Sequence, residues 1–317
     1  MKTAVTLETI RVRVGSCELM GQVLYFDLLP LIGELPAWNA GAHVDLLLGN
    51  GLIRQYSLCG DPADGTRYRL AVLLDENSRG GSRAVHQQVK SGAELEIGAP
   101  RNLFPLAVSK GHSIFVGGGI GVTPLMAMAY DLWDHKRPFT LHYIARDPVF
   151  APILQAAPFA SCVQIHDRSN RSAPRFDPSS ALRDAVVTGA HIYTCGPVAL
   201  MDAVEESARL AGLPDAQIHR EAFSALPVSG GECFEVLAAK SGVRVQVGAD
   251  ETITAALARV GVKVTVSCEQ GICGTCVVDL LEGDPDHRDE YLTNDERSEQ
   301  IALCCSRAKS PLLVVDL

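Results

Sequence analysis

The stretch that decides the fold of the C-terminal part is Cys268-Glu-Gln-Gly-Ile-Cys273-Gly-Thr-Cys276, and further thiols follow at Cys304 and Cys305. The spacing C-x4-C-x2-C with a distant fourth cysteine is typical of plant-type [2Fe–2S] sites, and soft thiolates are the ligands that suit iron–sulfur chemistry. Glycines in such a loop allow close backbone approach, so that N–H groups can hydrogen-bond the sulfurs. The pattern predicts a cluster held by Cys268, Cys273, Cys276 and Cys304, with Cys305 on the opposite side of an extended segment.

Two other interpretations of these thiols are weaker. Buried free cysteines are common in proteins, but five of the ten cysteines of this chain lie between positions 268 and 305. Zinc sites usually show two C-x2-C pairs, or cysteine combined with histidine, whereas this segment has a single C-x2-C.

Composition narrows the class of protein. The 317 residues are 47% hydrophobic and 21% charged, which excludes disordered and coiled-coil chains. A net charge of −9 argues against nucleic-acid binding. Residues 232–317 carry 15 acidic and 8 basic side chains, so this acidic part could meet a basic protein partner.

Cellular location is inferred from the absence of targeting signals. The first residues form no apolar signal-peptide core, and the charge-free stretch 113–130 contains glycines and Pro124 that favour a strand, a turn and a buried helix over a membrane span. We therefore expect a cytoplasmic protein without membrane attachment, whose cysteines are not paired in disulfides.

Three blocks follow one another along the chain. Residues 1–108 show short alternating strands with Gly, Pro and Asp turns, which predict an antiparallel barrel or sandwich. Residues 109–225 alternate strands and helices, as in an α/β domain with a parallel sheet. Residues 226–317 begin with a linker and continue as a small α+β module.

The first block contains a candidate phosphate and ring site. Arg54 can pair with a phosphate, Tyr56 can stack on a flat ring, and Ser57 can hydrogen-bond either group. Gly80-Gly81-Ser82 precedes a helix-like segment, and glycine N–H groups at a helix start attract anions. Without a ligand, the same residues would form an ordinary strand and turn.

The second block contains two glycine-bearing turns. Gly117-Gly-Gly-Ile-Gly121-Val-Thr-Pro124 follows a strand and opens a helix, an arrangement that suits a pyrophosphate. Cys195-Gly196-Pro197 ends another strand and starts another helix. Arg146 ends a strand and could take a 2′-phosphate or be a surface charge, but Asp147 beside it repels phosphate and can bind ribose hydroxyls, which favours NADH over NADPH.

The segments CEQGICGTC, EGDPDHRDEYLT and CCSRA, together with R-x-Y-S-L, G-G-S, G-G-x-G-[IV]-T-P and C-G-P, resemble the phthalate dioxygenase reductase / vanillate O-demethylase reductase family over essentially the whole chain. The resemblance implies an FMN-binding β-barrel domain, an NAD-binding α/β domain and a β-grasp ferredoxin domain. It also implies that the last cluster ligand is the first cysteine of the CCSRA run, Cys304.

The resemblance also implies particular site residues. In hydride transfer it assigns roles to Cys195, Ser57 and Phe223, although Phe223 could equally belong to the core. The residues that it places at FMN or at the nucleotide are Arg54, Tyr56, Ser57, Gly81, Ser82, Gly118, Gly119, Gly121, Thr123, Pro124, Cys195, Gly196 and Pro197. Val72 is a further candidate neighbour of the flavin, and Arg146 and Asp147 are nucleotide candidates because of their charges.

The function expected from these sites is electron transfer in aromatic catabolism. A flavin can accept two electrons from NADH and release them singly to an iron–sulfur centre. The resemblance implies a Rieske-type dioxygenase or O-demethylase as the acceptor. A haem monooxygenase is the alternative partner, and a redox sensor without turnover is the alternative class.

Overall fold

The computed structural model describes residues 9–49, 52–75, 80–170, 172, 174–223, 230–289 and 291–317. The chain forms two compact units, Met1–Glu221 and Ala222–Leu317. The first unit contains both an antiparallel and a parallel sheet, and the second contains the cysteine-rich segment. The predicted domain limits 1–108, 109–225 and 226–317 stay a prediction, and most of the predicted linker, residues 224–229, lies outside the described residues.

The first sheet of the first unit is antiparallel and has seven strands. Its strands, with one helix between them, are β1 Thr9–Met20, β2 Val23–Pro30, β3 Ala42–Leu48, β4 Leu52–Ser57, β5 Tyr68–Leu73, α1 Gly81–Gln88, β6 Glu94–Gly98 and β7 Arg101–Asn102. The hydrogen-bonded order is β4-β3-β6-β1-β2-β5, with β7 on β3.

The predicted closure of this sheet into a barrel is not seen in the hydrogen bonding of the described residues. The strands at the two ends of the order, β4 and β5, approach each other without a ladder between them, and α1 packs against both. The sheet encloses an apolar core to which β3 contributes Val44, Leu46 and Leu48. Six of the seven residues of β3 are buried, so the strand is covered on both faces.

The second sheet of the first unit is parallel and has five strands. The elements are β8 Ser113–Gly118, α2 Val122–Asp134, β9 Phe139–Ala145, α3 Ala151–Ala156, β10 Val163–Asp167, α4 Pro178–Ala181, β11 His191–Cys195, α5 Val198–Leu210 and β12 Ile218–Glu221. The strand order is β10-β9-β8-β11-β12. The order therefore reverses between β8 and β11, and in sheets of this type ligands bind at the carboxyl ends of the strands at such a switch point.

Helices cover both faces of the parallel sheet. The helix α2 is almost wholly apolar, and Leu125 and Met128 are fully buried in the core that also contains the antiparallel sheet. On the other face Val204 of α5 packs with Ile114 and Ile192. The charge-free stretch 113–130 is thus a strand, a short 3₁₀ turn and a buried helix, as predicted. Within the described ranges, no helix has both the length and the apolar character needed to cross a membrane.

The sequence pattern predicts a helix over residues 178–187, but the helix in the structure is much shorter. It begins after Asp177, whose carboxylate accepts a hydrogen bond from the Ser179 amide at 3.1 Å, and ends at Ala181. The exposed valines 186 and 187 and the turn at Gly189 explain the early end, because β-branched side chains and glycine do not favour a helix.

The second unit is a small mixed α+β module. Its elements are β13 Phe234–Ala238, β14 Val243–Val247, α6 Ile253–Arg259, β15 Val277–Glu282, β16 Pro285–Asp286, β17 Gln300–Ala302, β18 Arg307–Ala308 and β19 Leu312–Val315. The main sheet has the order β14-β13-β19-β15-β17, in which β13 and β19 are parallel, and β16 pairs with β18. Its apolar core includes Val236, Leu257 and Leu313, so the segment from Ser267 to Cys276 is a loop supported by a packed sheet.

Candidate functional site

Arg54 and the glycine turn before α1 lie together, although 26 residues separate Arg54 from Gly81 in the chain. A Cβ added to Gly81 would lie 2.7 Å from Cγ of Arg54, so the arginine side chain passes directly over this glycine. The Ser82 hydroxyl is held in the same turn, where it accepts a hydrogen bond from the Asp75 amide at 3.1 Å. An arginine over a glycine-opened helix start is suited to a phosphate group.

Two other predicted flavin residues lie close by on the neighbouring strands. Tyr56 of β4 is half-buried, and burial raises the pKa of its phenol well above the ordinary value. Val72 of β5 is buried, and its carbonyl accepts a hydrogen bond from Nε2 of His86 at 2.9 Å, which fixes α1 to the strand. Val72 therefore contributes core packing here, and its contact with flavin stays a prediction.

The two predicted nucleotide turns meet at the switch point of the parallel sheet. Gly118 ends β8, and a Cβ there would lie 2.6 Å from Cδ of Pro197. Gly196 has a φ of +145°, and a Cβ there would lie 2.8 Å from Cα of Gly118. A Cβ at Gly121 would overlap the carbonyl of Cys195. The two turns pack backbone against backbone, so any side chain at these glycines would push them apart.

The start of α2 completes this arrangement. Gly119 has a φ of +55°, which turns the chain out of β8. The Thr123 hydroxyl donates to the Ile120 carbonyl at 2.9 Å, and Pro124 lies in the first turn of the helix. The N–H groups of this helix start therefore lie beside the Cys195 turn, where a pyrophosphate could be bound.

A buried carboxyl that the sequence analysis did not identify lies at the same place. Glu221 ends β12 opposite Cys195 of β11, and the Ser57 hydroxyl of the flavin strand hydrogen-bonds it. Burial raises the pKa of Glu221 to about 8, and the Ser57 hydrogen bond offsets this only in part. One carboxylate oxygen of Glu221 has no hydrogen-bond partner. At neutral pH this carboxyl is therefore mostly protonated, and Ser57, Cys195 and Glu221 form one buried group.

The environment of Cys195 determines its chemistry. Its thiol is fully buried, and burial together with the nearby Glu221 raises its pKa well above the ordinary value. A thiol that stays protonated is a poor nucleophile. The raised pKa therefore disfavours covalent attack by Cys195, and its contact with a bound nicotinamide ring stays a prediction.

Arg146 and Asp147 follow β9 at the same edge of the sheet as the glycine turn, and both are exposed. The Asp147 carboxylate lies near the turn between β1 and β2, where a Cβ added to Gly21 would be 3.0 Å from Oδ2 of Asp147. The carboxylate therefore lies beside this turn, and its contact with a ribose stays a prediction. The preference for NADH over NADPH that Asp147 would confer stays a prediction.

The predicted cluster ligands lie together in the second unit. Cys268, Cys273, Cys276 and Cys304 are buried, and the Cys304 thiol hydrogen-bonds those of Cys268 and Cys276. The Cys268 thiol also hydrogen-bonds Cys273, and these contacts lower the pKa of Cys268. Backbone amides point at two of the sulfurs: Gln270 donates to Cys268 at 3.3 Å and Cys304 to Cys276 at 3.4 Å. Four convergent thiols with N–H···S bonds fit a [2Fe–2S] cluster.

Cys305 has different surroundings from Cys304. Its sulfur lies 3.7 Å from the Ala302 carbonyl, and a Cβ added to Gly271 would be 2.5 Å from it. Cys305 thus packs beneath the loop and also contacts the Cys304 thiol, whereas Cys304 contacts both Cys268 and Cys276, which supports Cys304 as the fourth ligand.

A zinc site would need three or four ligands around one ion. No set of three or more His, Cys, Asp or Glu side chains within the described part of the chain is arranged around a single ion. A two-iron cluster spreads four thiolates over two metal ions and does not need that arrangement. All ten cysteines lie in the described ranges and are free thiols.

Phe223 lies two residues after Glu221, near the start of the second unit, and it is half-buried. Its predicted role at the flavin stays a prediction. Together, the candidate flavin, nucleotide and cluster sites define a class of protein: a nucleotide-dependent flavin reductase fused to an iron–sulfur module.

Comparisons with known proteins agree with this class. Residues 237–309 match the 2Fe-2S iron-sulfur cluster binding domain. The chain is 44% identical to a vanillate O-demethylase oxidoreductase of Pseudomonas sp., over 90% of this chain and 92% of that protein. The solved structure of phthalate dioxygenase reductase, described as a modular structure for electron transfer from pyridine nucleotides to [2Fe-2S], matches with a TM-score of 0.79 at 36% identity and covers 98% of both chains.

A third match is part of a longer protein. An intact type IV self-sufficient cytochrome P450 monooxygenase matches with a TM-score of 0.79 at 36% identity, over 98% of this chain and 41% of that one. The chain belongs to the family of oxygenase reductase components that includes vanillate O-demethylase oxidoreductase and phthalate dioxygenase reductase, as its resemblance predicted.

Proposed function

We propose that this chain carries electrons from NADH through FMN and a [2Fe–2S] centre to a Rieske-type aromatic dioxygenase or O-demethylase. When bound, the flavin would take a hydride from NADH and pass its electrons singly to the iron–sulfur centre. One observation carries the proposal: Ser57 of the flavin strand hydrogen-bonds Glu221 beside Cys195, so the candidate flavin and nicotinamide sites share a buried wall.

The residues have separate tasks. Arg54, Gly81 and Ser82 would hold the FMN phosphate, while Tyr56 would lie against the ring system. Residues 118–124 and 195–197 would hold the nucleotide. Ser57 and the protonated Glu221 would stay beside the reacting atoms and exclude bulk water.

The three parts of the chain would serve as an FMN-binding barrel domain, residues 1–108, an NAD-binding domain, residues 109–225, and a β-grasp ferredoxin domain, residues 226–317. The ferredoxin part is acidic, and its charge would guide transient docking on a basic face of the oxygenase. None of the ten cysteines forms a disulfide, which supports a location in the reducing cytoplasm.

A haem enzyme is the second candidate for the acceptor. The match to a self-sufficient cytochrome P450, in which a chain segment like this one accompanies a haem monooxygenase, favours it.

Steady-state kinetics would test the proposal. We expect the purified holoenzyme to oxidise NADH with ferricyanide as acceptor, and to reduce a Rieske-type oxygenase component such as that of a vanillate O-demethylase. Reduction of a P450 but not of a Rieske protein would favour the haem acceptor. Absence of turnover with both prosthetic groups bound would contradict an electron-transfer role and favour a sensor.

A further inference from the structure

Arg307 is a buried, positively charged side chain of the second unit. It follows the candidate cluster ligand Cys304 by three positions, and only 2% of its surface is exposed. Burial of a charge has a large cost unless hydrogen bonds compensate for it. The burial of this guanidinium therefore needs an explanation.

The guanidinium of Arg307 bonds main-chain carbonyls from two parts of the module. It donates to the Glu251 carbonyl at 2.8 Å and to the Gly248 carbonyl at 3.0 Å, both of which lie between β14 and α6. It also donates to the Glu232 carbonyl, just before β13, at 3.0 Å, and it lies over the Phe234 ring at 5.1 Å from the centroid. The planar fork of an arginine is suited to spanning two main-chain segments in this way.

Residues 230–232, which we call the linker end, are the described part of the predicted linker that precedes β13. All three residues are exposed, so an apolar core does not hold them. A Cβ added to Gly231 would lie 2.5 Å from Nε of Arg307, so the missing side chain allows the main chain to lie against the guanidinium. Together with the bond to the Glu232 carbonyl, this contact attaches the linker end to Arg307.

Arg288 makes a second attachment of the linker end. Its two Nη atoms each lie 3.3 Å from the Gly230 carbonyl, and its Nε donates to the Asp286 carboxylate at 2.8 Å. Asp286 of β16 is the strand partner of Arg307 in β18. Two arginines that flank one strand pair therefore hold the linker end, and this strand pair follows Cys304 directly in the chain.

We propose that Arg307, supported by Arg288, is a positioning residue that fastens the linker end to the strand pair next to Cys304, and that this attachment speeds electron transfer from flavin to cluster. The proposal rests on the proposed function, because it concerns that transfer. The linker is the covalent connection between the candidate flavin and cluster sites, so a fixed end restricts the positions that the module can sample. Restriction of the approach of two reacting groups raises the rate of their reaction.

The test follows electrons inside full-length holoenzymes after rapid mixing with NADH, without a protein acceptor. Arg307→Met removes the hydrogen bonds, whereas Gly231→Ala keeps the charge and displaces the linker end from the guanidinium. In both variants we expect cluster bleaching at least about tenfold slower than in the wild type. Flavin bleaching and the EPR spectrum of the cluster should be unchanged, and the reduction potential of the cluster should be unchanged in Gly231→Ala.

Amide hydrogen exchange gives a readout that does not depend on turnover. Residues 230–233 should exchange at least about tenfold faster in both variants, because their attachment opens more readily. Arg244→Met is the matched control, since this exposed arginine of β14 pairs with Glu235 of β13 at 2.9 Å. It should match the wild type in exchange and in electron transfer.

Unchanged cluster bleaching and exchange in Arg307→Met and Gly231→Ala would overturn the proposal, as would equal slowing in Arg244→Met. Slowing in Arg307→Met alone, with a lowered cluster potential, would overturn it by showing that the arginine acts through its charge. If Arg307→Met lost its cluster, Gly231→Ala would decide by the same criteria. A wild type in which NADH bleaches the flavin but never the cluster would refute the proposed function, and the exchange data would still decide the attachment.

Discussion

Glu221→Gln tests the buried carboxyl at the junction of the flavin and nucleotide sites. Burial raises the pKa of Glu221 from 4.5 to about 8. Between these values the folded protein keeps a proton that the unfolded chain has lost, so the free energy of unfolding falls as pH rises from about 4.5 to about 8. At about 1.4 kcal/mol per pKa unit the full penalty above pH 8 would be near 5 kcal/mol. Because Glu221 retains some solvent contact, we expect roughly 2–4 kcal/mol.

Glutamine has nearly the same shape and no charge to bury, so this penalty should disappear in the variant. Thermal unfolding of the wild-type and Glu221→Gln holoenzymes between pH 5.5 and 9 would measure it. The Tm of the variant should rise by about 4–8 °C relative to that of the wild type as pH rises to 8. Above pH 8 the difference in Tm should stay constant. Glu206→Gln, at an exposed position of α5, is the control and should show no such trend. A difference in Tm that does not change with pH would refute the argument.

Three further predictions concern the cofactor sites. Arg54→Gln should weaken FMN binding at least about tenfold, because the guanidinium that crosses Gly81 is lost; flavin retained on gel filtration as in the wild type would contradict this. The wild type should prefer NADH in kcat/KM, and Asp147→Asn should narrow that preference by removing the charge that repels a 2′-phosphate; equal use of NADPH by the wild type would show that Asp147 does not select. Cys304→Ser should remove the visible absorption of the cluster and Cys305→Ser should keep it, and the reverse result would exchange their roles.

Much of the fold could be predicted because its signals are local. The sequence pattern predicts the strands His191–Cys195, Phe234–Ala238 and Val243–Val247 with the limits that the structure shows. The glycine turns and the C-x4-C-x2-C loop could be recognised because each requires particular residues at short spacing. The strand Val23–Pro30 was missed, because its apolar run shows little alternation when both of its faces are largely covered.

The part of the candidate site that the sequence does not reveal depends on contacts between residues far apart in the chain. Glu221 meets Ser57 across 164 positions of the chain, and no spacing rule connects them. Its strand, Ile218–Glu221, is only four residues long and half-buried throughout, so alternation could not reveal it. The one signal in the sequence is an acidic residue two positions before Phe223. The bond from Arg307 to the Glu232 carbonyl likewise depends on tertiary packing that the sequence does not display.

Anaerobic titration of the purified protein with NADH, after iron, sulfide and flavin analysis, tests the central claim most directly. We predict one FMN and two irons per chain, with bleaching of both flavin and cluster absorption in the wild type. In Cys276→Ser only the flavin should bleach. A protein that stays colourless and free of iron after anaerobic reconstitution, or one whose cluster absorption survives in Cys276→Ser, would contradict the account.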